Sequence, residues 1–219
     1  MERDQSDFKE SAQSSRTVTK IEFQKRKTDR RSVFLDNEYA FSVSEQTFQQ
    51  FPLIVSQILS EKQIAIIINH EAFEIAKSLA LRYLTARMRS AYELRKYLRK
   101  KDCGDREILR AIEYCKDRQY IDDEQYAGML VNDMTHLNRY GINKMRFVLK
   151  KRGISSGIIE KVLNDQIDPD VQFENAIALV KRKKATLGDD PKIKEKLYRF
   201  LKQRGFNYRI IYRVIDKLG

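Results

Sequence analysis

Hydrophobic and polar positions along this chain of 219 residues follow two different periods. Between Thr17 and Val43 apolar residues alternate with polar ones: Val18, Ile21 and Phe23 in TVTKIEFQ, then the two aromatic-rich runs flanking Asp36-Asn37-Glu38 in SVFLDNEYAFSV. Alternation around a turn predicts half-buried strands, so a small β-hairpin or three-stranded sheet is expected over residues 16–45. The connection KRKTDRR, Lys25 to Arg31, is basic and turn-like. From Val43 onward apolar residues recur at three- and four-residue steps, which predicts amphipathic helices. Residues 46–70 read as a helical linker, and the polar segment 1–15 as a mobile tail with little to bury.

The helical part repeats itself. ELRKYLRKKDC (Glu93 to Cys103), KMRFVLKKRGI (Lys144 to Ile154) and KLYRFLKQRGF (Lys196 to Phe206) align without a gap, spaced by 51 and then 52 residues. Leu94, Met145 and Leu197 share one slot; Tyr97, Val148 and Phe200 another; Leu98, Leu149 and Leu201 a third. Each stretch is preceded by one apolar helix and followed by a second, as in Ile158, Ile159, Val162 and Leu163. Three tandem three-helix repeats are therefore expected, over 71–119, 120–168 and 169–219. The fold class is mainly α with a small N-terminal β element.

Start and stop signals agree with these bounds. Ser90 with Glu93 is a capping box, and Asp122 with Gln125 is a similar pair. Gly153 and Gly205 end the repeated stretches where a left-handed residue is needed. The first repeat has Asp102 in that slot, so its turn is expected to be built differently.

At 100° per residue, Leu94, Tyr97 and Leu98 point one way and Arg95, Lys96 and Arg99 the other. The corresponding outward slots hold Arg146, Phe147 and Lys150, then Tyr198, Arg199 and Lys202, and the slot after them holds Lys100, Lys151 and Gln203. A solvated face normally mixes signs, because opposite charges four residues apart attract. Here acids are nearly absent from the repeated stretches, and the whole chain carries a net charge of +12. A repeated basic face suits an extended negative partner. It also fits merely soluble helix exteriors. Phe147, between Arg146 and Lys150, is placed either to stack on a base or pocket of a partner or to touch a neighbouring repeat.

Several function classes lack support. There is no GxxxxGK phosphate loop and no GxGxxG. His70 and His136 lie far apart and away from cysteine, so no metal site or Cys/His nucleophile is indicated, and both read as surface or boundary residues. Cys103 and Cys115 read as small core hydrophobes. Asp122, Asp123 and Glu124 suit a helix start better than a nuclease cation site. No apolar run approaches the roughly 20 residues of a membrane span, and the polar N-terminus does not read as a signal peptide, so a cytoplasmic location is expected.

Taken together, ALRYLTARMRSAYELRKYL (Ala80 to Leu98), YIDDEQYA (Tyr120 to Ala127), RYGINKMRFVLKKRGI (Arg139 to Ile154) and FLKQRGFNYRIIYRVI (Phe200 to Ile215) resemble the RecX regulatory proteins, modulators of the RecA recombinase. The resemblance spans about Thr17 to Leu218 and implies an elongated, curved array of three-helix repeats. It further implies a partner, the RecA nucleoprotein filament on single-stranded DNA, and inhibition of its recombinase, ATPase and co-protease activities; some members also bind DNA. A monomer without cofactor, metal or catalytic residue is expected. The residues expected to meet the partner are Arg87, Arg89, Arg95, Lys96, Arg99 and Lys100 in the first repeat, Arg146, Phe147, Lys150 and Lys151 in the second, and Arg199 and Lys202 in the third. Ser90, Glu93, Gly141, Gly153 and Gly205 are expected to be structural. The competing expectation is a sequence-nonspecific nucleic-acid-binding protein that uses the same face.

Overall fold

A computed structural model describes residues 15–25, 29–188 and 190–218, so the expected tail over 1–15 lies almost wholly outside the described residues. The chain divides into two compact units, one holding the N-terminal part to Leu79 with Asp102–Ala111, the other Ala80–Lys101 with Ile112–Gly219.

The first unit is built on an antiparallel sheet of four strands, β1 (Ser15–Phe23), β2 (Arg30–Leu35), β3 (Glu38–Ser44) and β4 (Ile58–Ser60), in the order β3-β2-β1-β4. Leu35 pairs with Glu38, and Asp36 and Asn37 between them have φ of 51° and 68°. Two consecutive left-handed residues match the right-handed twist of a two-residue hairpin. The fourth strand corrects the expected hairpin or three-stranded sheet. It lies inside the segment expected to be a helical linker, which also holds the short helix α1 (Glu45–Gln50).

Val18, Val33, Leu35, Phe41, Val43 and Leu59 form the core under this sheet, joined by Ile67 of α2 (Glu61–Leu84). The buried Glu71 of α2 ties the sheet down: it accepts from the Ser44 N–H at 2.9 Å and pairs with Arg30 at 2.7 Å. Burial pushes the Glu71 carboxyl up, but the hydrogen bonds from Thr47, Ser44 and Arg30 outweigh it and hold it below its ordinary range.

Three helices per repeat follow as the periodicity predicts. The first repeat has α2, α3 (Ala91–Arg99) and α4 (Asp105–Asp117); the second α5 (Asp123–His136), α6 (Ile142–Lys151) and α7 (Ser156–Gln166); the third α8 (Pro169–Leu187), α9 (Ile193–Gln203) and α10 (Tyr208–Leu218). Two of the three aligned slots are inside: Leu94, Leu98, Met145, Leu149 and Leu201 are fully buried and Leu197 nearly so, while Tyr97, Val148 and Phe200 are half-buried. Separate cores form around Tyr126, Val131, Met145, Leu149, Ile159 and Leu163, and around Phe173, Ile177, Val180, Leu197, Leu201 and Ile211. Asp122 caps α5 by accepting from the Glu124 and Gln125 N–H groups at 2.9 and 2.8 Å.

Asp102 departs from expectation. Its φ is 58°, the same left-handed turn that Gly153 (75°) and Gly205 (88°) adopt, so the first repeat does not build its turn differently. Cys115 is buried as expected, whereas Cys103 is only partly so, and neither forms a disulfide.

Candidate functional site

The middle helices of the three repeats meet end to end. At the second joint, the N-terminus of α6 sits on the turn that follows α9. The Gly141 N–H donates to the Arg204 carbonyl at 2.9 Å and the Asn143 N–H to the Gly205 carbonyl at 3.0 Å. A Cβ on Gly141 would lie 2.3 Å from the Gly205 carbonyl carbon, and one on Gly205 would lie 2.3 Å from the Lys144 nitrogen. Both glycines are needed because two backbones touch.

At the first joint, the N-terminus of α3 sits on the turn that follows α6. The Ser90 hydroxyl donates to the Arg152 carbonyl at 2.5 Å and accepts from the Glu93 N–H at 3.1 Å. Glu93 closes the capping box through the Ser90 N–H and receives Arg152 at 2.6 Å. Burial pushes the Glu93 carboxyl up, but the hydrogen bonds from the Ser90 N–H and Arg152 prevail and hold it below its usual range. A Cβ on Gly153 would enter the Tyr92 side chain at 2.2 Å.

The second joint gives carbonyls left over at one helix C-terminus to N–H groups left over at another's N-terminus, and at the first the Ser90 hydroxyl is the donor instead. Each joint also sets a negative helix end, worth about half an elementary charge, against a positive one. The five residues expected to be structural, Ser90, Glu93, Gly141, Gly153 and Gly205, are the parts of these two joints.

This alignment gathers some of the expected contact residues and withdraws others. Lys96, Lys100 and Lys151 line one cleft of about 380 Å³ at the first joint, with Arg152, Glu93 and three tyrosines, Tyr83, Tyr92 and Tyr97. None of those three lysines makes an ion pair among the described residues. Phe147 is half exposed, with Lys151 at 4.8 Å and Lys144 at 5.6 Å from its ring. Arg95, Arg99 and Lys150 lie on the same helices, Arg99 and Lys150 exposed and Arg95 half-buried, while Lys202 is exposed on α9. Arg87 is exposed, and Arg89 lies over the Tyr83 ring at 4.6 Å.

Arg146 is not a free cation. Glu160 of α7 holds its guanidinium through two hydrogen bonds of 2.7 and 2.9 Å, which raises the Arg146 pKa and lowers that of Glu160. Arg199 likewise pairs with Glu195 at 2.9 Å, although both are well exposed. Tyr198, placed outward by the helical wheel, packs half-buried on the third core and against Tyr212 at 5.8 Å. The tyrosines of the cleft escaped the sequence reading because Tyr83 and Tyr97 wheel as core residues, and only the fold opens a space beside them. Among the described residues no cluster of His, Cys, Asp and Glu could hold a metal ion, and no helix is long and apolar enough to cross a membrane.

Comparison with known proteins finds matches along four segments of the chain. Residues 16–60 match the RecX N-terminal domain, and 76–115, 122–163 and 170–215 match the first, second and third RecX three-helix domains. A regulatory protein RecX from Clostridium botulinum is 33% identical over 204 residues, covering 91% of this chain and 95% of the relative. One from Staphylococcus epidermidis is also 33% identical, covering 92% of this chain and 75% of the relative. A crystal structure of regulatory protein RecX superposes with a TM-score of 0.71 at 30% identity, over 92% of this chain and 99% of that one. RecX from Lactobacillus salivarius gives 0.62 at 26%, over 68% and 97%. With all four domain matches in order around the two joints, the chain belongs to the RecX family of regulatory proteins.

Proposed function

We propose that this chain binds the RecA nucleoprotein filament on single-stranded DNA and inhibits its recombinase, ATPase and co-protease activities. It acts by binding, without cofactor or catalytic step, as a cytoplasmic monomer. The observation that supports this reading is the end-to-end run of α9, α6 and α3, which concentrates lysines without acidic partners, Lys96, Lys100 and Lys151, beside the exposed Phe147. A filament presents the same surface again and again, and a run of repeats offers matching contacts in series. Family membership among proteins named as regulators supports the same conclusion.

The test is the single-stranded-DNA-dependent ATPase rate of the host RecA with this protein titrated below stoichiometry. Inhibition at well under one molecule per RecA is expected, at concentrations where the protein leaves naked DNA unbound. Inhibition that sets in only once the DNA is coated would instead favour a nonspecific phosphate-binding surface.

A further inference from the structure

The second repeat separates its charge. Its middle helix α6 carries Lys144, Arg146, Lys150 and Lys151 and no acid, whereas α5 with its cap Asp122 and α7 together hold six carboxylates and one lysine, Lys161. In a chain with a net charge of +12, these two helices are an acidic island.

A groove runs along the α5 and α7 pair, with Gly128 in its floor. A Cβ there would stand 2.7 Å from Gln166 Nε2, so the glycine leaves room for the Gln166 side chain to lie across α5. Gln166 separates a cleft of about 620 Å³ beside Asp122, Glu124 and Asp165 from one of about 540 Å³ beside Asn132 and Thr135. From Asp122 to Thr135 a helix rises about 20 Å, the length of about six residues of extended chain.

The first cleft is short of cations. Lys161 pairs with Glu124 at 2.6 Å on the exposed rim, while Asp165 makes no ion pair among the described residues. Asp122 uses one oxygen, Oδ1, to cap α5. The second cleft carries an independent sign of a ligand. Thr135 lines it and is 5% exposed, yet its Oγ1 has no hydrogen-bond partner. A buried hydroxyl left unpaired is costly and uncommon in a folded chain. The amide side chains of Asn132 and Gln166 stand in the same cleft, each with donors and an acceptor.

Nucleic acid would meet carboxylates here and be repelled. A metal ion lacks its ligands among the described residues. A polyamine would answer the carboxylates but bring no acceptor for the hydroxyl and amides of the second cleft. An extended peptide bearing Lys or Arg answers both, through its cations at one end and its backbone N–H and C=O groups at the other. The basic face of a second copy stands on helices, whose backbone groups are already paired. We infer that the groove between α5 and α7 docks an extended basic segment of a partner protein, its cations at Asp122, Glu124 and Asp165 and its backbone at Asn132, Thr135 and Gln166. This inference concerns the face opposite in charge to α6 and does not rest on the filament reading.

The full chain is titrated into a fluorescein-labelled peptide of about eight residues, basic in its first half and Ser and Gly in its second, near 0.1 M salt, with anisotropy as the readout. Saturable binding is expected. The D122N/E124Q/D165N variant, in which asparagine keeps the α5 cap, should bind at least about tenfold more weakly. An E113Q/D117N/D216N control, which removes the same charge from exposed positions elsewhere, should change affinity by less than about threefold. Thr135→Val should weaken binding about threefold or more while the urea midpoint stays or rises, because the hydroxyl has no partner in the free chain. Circular dichroism checks that all variants fold.

Equal losses in the two triple variants, binding unmoved by Thr135→Val, competition by spermine as tight as by the unlabelled peptide, or no saturable binding would each overturn the proposal. Self-association of the chain that the D122N/E124Q/D165N variant abolishes would overturn it too, by placing a second copy in the groove. A chain that binds the peptide yet leaves RecA ATPase untouched would refute the filament reading and leave this one standing.

Discussion

The joint between the first and second repeats is closed by side chains, whereas the joint between the second and third adds backbone-to-backbone hydrogen bonds, flanked by one side chain, Arg204, which donates to the Asn138 carbonyl at 3.3 Å. Ser90, Glu93, Arg152 and Tyr92 make the first; Gly141, Gly205 and the peptide groups of Asn143 and Arg204 make the core of the second, with the Arg204 guanidinium over the Tyr140 ring at 5.6 Å. The two occupy equivalent places in the repeat and join equivalent helix ends. Backbone contacts fix the approach tightly and leave little that substitution could adjust. A side-chain joint leaves room beside it, and the tyrosine and lysine cleft lies in that room.

The largest expected effect is at Gly205. Alanine there must hold φ near 88° and drive a methyl group into the Lys144 backbone. The expected loss is about 3 kcal/mol or more in urea unfolding. A loss below about 1 kcal/mol would mean that the second joint is open in solution.

Gly153→Ala comes next, at about 2 to 3 kcal/mol, because the methyl meets the Tyr92 side chain rather than backbone. Adding Tyr92→Ala should restore about 1 kcal/mol, a coupling for which Gly205 has no counterpart. Additive losses at 153 and 92 would erase the distinction between the joints.

Ser90→Ala removes a helix cap and the donor to the Arg152 carbonyl together, and should cost about 1 to 2 kcal/mol.

Glu93→Gln should cost about 1 kcal/mol at neutral pH, and its signature is the pH profile. The folded Glu93 carboxyl is held below its unfolded value of about 4.3, so its contribution is present above that pH and is lost as pH falls through the lowered folded value. The wild-type protein should therefore lose more stability than the Glu93→Gln variant between about pH 5 and pH 3, as read from urea midpoints. Parallel profiles would show that Glu93 is not held ionised at the joint.

The smallest effect is expected for Glu160→Gln. It frees Arg146 and should change stability by less than about 1 kcal/mol, because that pair is largely solvated.

The repeat itself was legible because buried slots must recur: Leu94, Met145 and Leu197 stand in one register whatever surrounds them. Two of the three joint glycines, Gly153 and Gly205, were legible as helix ends, but the reason for them was not, since a left-handed turn alone does not demand glycine. Asp102 shows this, adopting the same turn at the repeat that has no earlier one to dock on. The free charge on the basic face was overstated. Arg146 meets its acid 14 residues away on another helix, a distance that no single-helix wheel can register. Strand β4 was missed because three residues, Ile58 to Ser60, are too few to display an alternation.

The joints also give the array a direction. Each is a plug, the turn after a middle helix, set into a socket, the N-terminus of the middle helix before it. The first repeat receives a plug at Ser90, and the third supplies one at Gly205. Among the described residues, the middle repeat alone both supplies a plug, at Gly153, and receives one, at Gly141. A duplication of that segment can therefore extend the chain from within, whereas copies of either end would terminate it.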